Sequence, residues 1–159
     1  MPEIVSRVKE KLGTEWIPVI YREKVRSQRT RLYRLDDLYR GSDPIIMHTL
    51  LGIELKAGKT RISCPDLATA RYLRVFARFG CREFAIPYDI TKISAIADQM
   101  EVAWHRLMLT IDDETAGKSK RSRGFARSLV IREMRREIEE TGAGAVMPEF
   151  SKTTKQIAD

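Results

Sequence analysis

The chain has 159 residues, 43% hydrophobic and 32% charged, with a net charge of +7. That length suits one domain with a core of its own, and the composition excludes a disordered chain. No apolar run approaches the roughly 20 residues of a membrane helix, and Met1-Pro2-Glu3-Ile4 lacks the charged-then-apolar layout of a secretory leader. The expected compartment is therefore the cytoplasm, with no membrane partner.

In chain order, residues 2–12 read as a helix, with Pro2 in its first turn, Ile4, Val5, Val8 and Leu12 on one stripe, and Gly13 as the stop. Trp16 to Tyr21 is predicted as a strand, placed at an edge by Pro18. Arg31 to Leu35 is a second strand, and Gly41-Ser42-Asp43-Pro44 a turn. Ile45 to Leu51 is an apolar run readable as strand or short helix. Ile53 to Lys56 and Thr60 to Ser63 form a hairpin around Gly58. Asp66 caps a helix over 67–79 that Gly80 ends, and Phe84 to Pro87 is a short buried strand. Three-four spacing from Ile93 to Ile111 predicts a long helix over about 90–111.

Residues 112–123 read as a polar, basic linker, 124–141 as a basic amphipathic helix with Leu129, Val130, Met134 and Ile138 inward, and 142–159 as a flexible tail. Residues 1–111 make the predicted α/β core domain. The fold expected is a central mixed sheet of four or five strands flanked by helices, with the C-terminal helix added.

Charge is concentrated in two blocks. Residues 22–40 carry +4 and residues 118–136 carry +7, leaving the rest of the chain at −4. Arginine outnumbers lysine 19 to 10, and its planar fork suits bidentate phosphate contacts and stacking on bases. The expected partner is nucleic acid, with RNA slightly favoured over DNA, alongside a protein partner or a second copy. The binding candidates are Arg26, Arg29, Arg31 and Arg34 in the first block and Lys120, Arg121 and Arg123 in the second. To these are added Arg71, Arg74 and Arg78, which share one helix face and read equally as a phosphate grip or as the solvated side of an amphipathic helix.

Two motif matches fail on context. Ala57-Gly58-Lys59-Thr60 lacks the glycine that a phosphate-binding loop needs at position 53 and leads into a strand rather than a helix. Arg123-Gly124-Phe125-Ala126 matches half of an RNA-binding strand motif but lies in a predicted helix. Cys64 and Cys81 have no zinc-site spacing and read as buried apolar residues. His105, beside Trp104 on a helix, reads as structural.

The run from Leu38 to Thr49, with Tyr39 before a Gly/Pro loop and His48 after it, resembles the catalytic domain of tRNA-splicing endonucleases. In that family a tyrosine, a histidine and a lysine cleave RNA without metal or other cofactor. The resemblance implies Tyr39 as base, His48 as acid, and Arg82 near the position of the lysine that stabilises phosphorane charge. Asp43 with Glu54-Leu55-Lys56 instead resembles PD-(D/E)xK nucleases, of the Holliday-junction-resolvase-like kind. That resemblance implies Asp43 and Glu54 as ligands of a magnesium ion and Lys56 as charge stabiliser. Both imply a restriction-endonuclease-like layout. A non-enzymatic binding or scaffold module is the remaining alternative.

Overall fold

The computed structural model describes residues 2–35 and 43–143. Its helices are α1 (Pro2–Leu12), α2 (Ile17–Ile20, continued by a π-helical turn Tyr21–Val25), α3 (Leu67–Phe79), α4 (Ile90–Glu114) and α5 (Lys120–Thr141). Its strands are β1 (Thr30–Arg34), β2 (Ile45–Thr49), β3 (Gly52–Ala57), β4 (Thr60–Cys64) and β5 (Glu83–Pro87). The fold is mixed α/β, but the expected central mixed sheet is replaced by two antiparallel sheets, β1–β5 and β2–β3–β4.

The reason is local to β5. Ala85 donates its N–H to the Tyr21 hydroxyl at 2.8 Å and accepts from the Tyr72 hydroxyl at 2.6 Å. Both groups that another strand would need are thus taken by side chains, as buried backbone requires. Burial pushes both phenols above their usual range, Tyr72 well above, so both stay protonated. Behind them Phe76 stacks on Phe84 with centroids 4.1 Å apart, joining α3 to β5.

The segment predicted as the first strand is helical instead. Trp16, Ile17, Ile20, Tyr21 and Val25 are all buried, and their steps of one, three, one and four are helical spacing. Pro18 suits the first turn of a helix as well as a strand edge, because neither position needs its missing N–H. The run 45–51 resolves into strand β2 and a tight turn, since Ile45↔Lys56 through Thr49↔Gly52 pair with β3. α3 keeps its predicted bounds, capped by Asp66, which accepts from Thr69 N–H at 2.7 Å, and ended by Gly80 at φ 73°.

The predicted linker 112–123 is mostly helix. α4 continues to Glu114 because that carboxylate holds Arg7 at 2.8 Å and Lys11 at 2.6 Å on α1. Gly117 turns the chain at φ 80°, and Ser119 caps α5 by accepting from Ser122 N–H. On α5, Ala126, Val130, Met134 and Ile138 face the core at every fourth position, with Leu129 only half-buried. Neither cysteine forms a disulfide; both are buried, at opposite ends of α3, and burial pushes the Cys64 thiol up. No helix among the described residues is long and apolar enough to cross a membrane.

Candidate nucleic-acid interface

The arginines divide into two populations. Arg74 and Arg78 both reach Glu101 on α4 at 3.0 Å, and Arg71 pairs with Asp98 one turn earlier. Arg78 also lies over Trp104, 5.2 Å from the ring centroid. Burial pushes the Glu101 carboxyl up, but the hydrogen bonds and charges of Arg78 and Arg74 outweigh it and hold it below the usual carboxylate range. The predicted arginine row on α3 is therefore helix–helix packing, with its charge largely met inside the protein. Glu101 is the residue that reading the sequence missed. Its signal was present: a lone carboxylate on the apolar stripe between Ala97 and Trp104 of α4.

The arginines around β1 stand differently. Arg29 lies 4.4 Å from the ring centroid of Tyr88, a residue 48% exposed, and Tyr88 N–H bonds to Arg29 O at 3.1 Å. Arg31 lies 5.9 Å from Tyr33, which stacks on Phe84. Stacking of this kind orders a guanidinium without consuming its N–H donors. Arg34 shares an exposed ion pair with Glu83 at 3.2 Å, worth little in water. Arg82, joined to this ribbon by Leu35 N–H on its carbonyl, is exposed and has no carboxylate partner among the described residues. Arg26 sits at the end of the π-helical turn, half-buried.

A second basic group lies at the α4–α5 corner. Lys118, Lys120 and Arg121 are exposed without carboxylate partners among the described residues, while Arg123 and Arg127 share Asp112 at 3.4 and 4.0 Å. α4, with 25 residues, separates this corner from Arg29 and Tyr88 by about 37 Å. Between these extremes α5 and the end of α3 enclose a cleft of about 240 Å³ lined by Arg78, Arg132, Arg135 and Ser128, with no carboxylate in its wall. Arg135 there donates to Phe79 O at 3.0 Å, meeting one of the carbonyls that a helix end leaves open.

The proposed catalytic groups are not gathered. Tyr39 lies outside the described residues. His48, exposed on β2, pairs through Ile53 with Cys64 beside the start of α3, whereas Arg82 follows its end. The 13 residues of α3 place about 20 Å between those two levels, too far to flank one phosphate. Glu54 and Lys56 share a face of β3, and Arg61 lies 3.7 Å from Glu54. Glu54, however, is opposite Met47, and Asp43, held extended by Pro44, lies about 13 Å further along. That is too far for both to ligate one magnesium ion at about 2.1 Å. Among the described residues no group of three or more His, Cys, Asp or Glu could hold a metal. His105 is exposed on α4. No known protein family, curated protein or solved structure matches the chain.

Proposed function

We propose that this protein binds nucleic acid, RNA in preference to DNA, without cutting it. The observation that carries the reading is the exposed ribbon on which Arg29 lies over Tyr88 and Arg31 over Tyr33, with Arg82 beside it. Arginines ordered on aromatic faces meet phosphates with their edges and bases with their planes. Unstacked bases of single-stranded RNA present both features together. The Lys118–Arg127 corner and the cleft lined by Arg132 and Arg135 extend the positive field, adding affinity without sequence preference.

The geometry argues against cleavage. His48 and Arg82 stand at opposite ends of α3, and Asp43 is distant from Glu54. A restriction-endonuclease-like layout is not needed for binding, and the antiparallel pairing of β5 with β1 lends it no support.

The test is fluorescence anisotropy of labelled single-stranded RNA, single-stranded DNA and duplexes over a salt series, with gel analysis for cleavage with and without magnesium. Single-stranded RNA should bind best, with log K falling against log salt by about 0.7 per phosphate contacted. Arg29→Ala and Arg31→Ala should each reduce that slope by about one phosphate contact, and Tyr88→Ala should cost about 1–3 kcal/mol of stacking. Absence of binding at low salt defeats the proposal. Cleavage abolished by His48→Ala or by Glu54→Ala replaces it with the corresponding nuclease.

A further inference from the structure

The β2–β3 hairpin has a composition unlike the rest of the chain. Charged residues make up 32% of the sequence, yet the ten residues from Pro44 to Ile53 contain no Asp, Glu, Lys or Arg. Apart from Pro44, none of them is buried. Leu50 is fully exposed, Leu51 92% exposed and Ile45 50% exposed. The two leucines form the whole turn, because Thr49 pairs with Gly52 across it. The turn is fixed by Thr49 Oγ1, which accepts from Leu51 N–H at 3.2 Å and donates to Gly52 O at 3.1 Å. Leucine brings nothing to such a turn, where glycine or asparagine is the usual choice. Its presence therefore calls for a partner surface rather than a local reason.

β2 is also an outer strand. In the order β2–β3–β4 its second edge has no strand partner among the described residues. Proteins ordinarily guard such an edge with lysine, proline or a bulge. Pro44 stops short of β2, and all five residues of the strand pair regularly with β3. α3 packs on the face that buries Leu55, Ala57 and Cys64, so no strand or helix among the described residues pairs with the outer edge of β2, and the leucines of its tip are exposed.

The chemistry selects the occupant. A phosphate-bearing partner is disfavoured, since no cation lies on the strand or its tip. A second copy fits, because two molecules of charge +7 repel and meet at least cost where neither carries charge. Pairing must keep the α3-covered face on the same side in both molecules, because partners in a ladder share a face. The register that uses all of β2 then places Met47 opposite Met47 and Ile45 opposite Thr49. Continued outward, it brings Leu50 level with Pro44 of the second copy.

We propose that two copies of this chain pair antiparallel through the outer edge of β2, about a two-fold axis at Met47, with each Leu50–Leu51 tip reaching the exposed Ile45 of the other. The proposal is independent of the nucleic-acid reading. Sedimentation velocity of the full chain over a concentration series, without nucleic acid, should show a monomer–dimer equilibrium that strengthens with salt as like-charge repulsion is screened. Met47→Lys and Met47→Glu should each weaken the dimer about tenfold or more by facing like charges across the axis, and their equimolar mixture should recover it. Leu50→Glu, at a fully exposed position, should weaken it while leaving the circular dichroism spectrum unchanged. A monomer at every concentration overturns the proposal, including one that instead binds neutral phosphatidylcholine vesicles through its leucines. A dimer indifferent to Met47→Lys and Leu50→Glu overturns it too, since it would use another face.

Discussion

Arg78 and Arg29 are the same residue type on the same small protein, and they have opposite tasks. Arg78 lies between Glu101 and the face of Trp104, largely out of water. Arg29 lies on an exposed tyrosine and has no carboxylate partner among the described residues. The difference is set by what faces them. α4 offers a carboxylate on its buried stripe, whereas β5 and the residues beyond it offer an aromatic ring at the surface. A basic patch counted from sequence is therefore an upper limit on an interface, and the partners inside the fold decide how much of it remains for a ligand.

The contrast can be broken most sharply at Glu101. Glu101→Ala leaves two partly buried guanidiniums without their counter-charge and should lower stability by about 2–3 kcal/mol, read from urea denaturation, while nucleic-acid affinity of the folded fraction stays unchanged. Acid should reproduce part of that loss. The folded pKa of Glu101 is lowered, so its contribution is complete above the unfolded carboxylate value of about 4.3. It is lost as pH falls through the folded value. Thermal melts of wild type should fall more steeply in that acid range than those of Glu101→Ala.

Tyr21→Phe comes next. It strands the Ala85 N–H and removes a donor from Gly142 O, for an expected loss of about 1–3 kcal/mol in the same denaturation assay. The smallest effect on stability belongs to the ribbon. Arg29→Ala and Arg31→Ala should shift it by no more than about 0.5 kcal/mol, although each is expected to remove a phosphate contact from binding. A large loss of stability in either variant would place these arginines with those of α3.

Periodicity made much of the fold legible. The stripes of α1, α3 and α4, the Asp66 and Gly80 caps and the hairpin around Gly58 follow from rules that act over a few residues. What escaped was decided across the chain. Pro18 is allowed in both a strand edge and a helix start, so only the packing of Trp16 and Tyr21 chooses between them. Asp112 to Glu114 look like solvent-loving linker until Arg7 and Lys11 arrive from α1. Nothing local in Tyr21 or Tyr72 announces that their hydroxyls will close an edge of β5 and split one sheet into two. At the candidate interface the arginines themselves were legible, but their separation into committed and available groups was not, because Glu101 and Tyr88 are distant in sequence from the side chains they hold.

The Tyr21 hydroxyl has a kinetic consequence. It touches residue 85 in the middle of the chain and residue 142 near the end of α5, while Lys9 and Trp16 both reach Glu137 on the same helix. The first two helices therefore cannot complete their contacts until α5 has been made. Contacts spanning more than 120 residues slow the search for the native state. They also bind α1 and α2 to α5 in one cooperative unit, in which the Ala85 amide should exchange with solvent only when that whole unit opens.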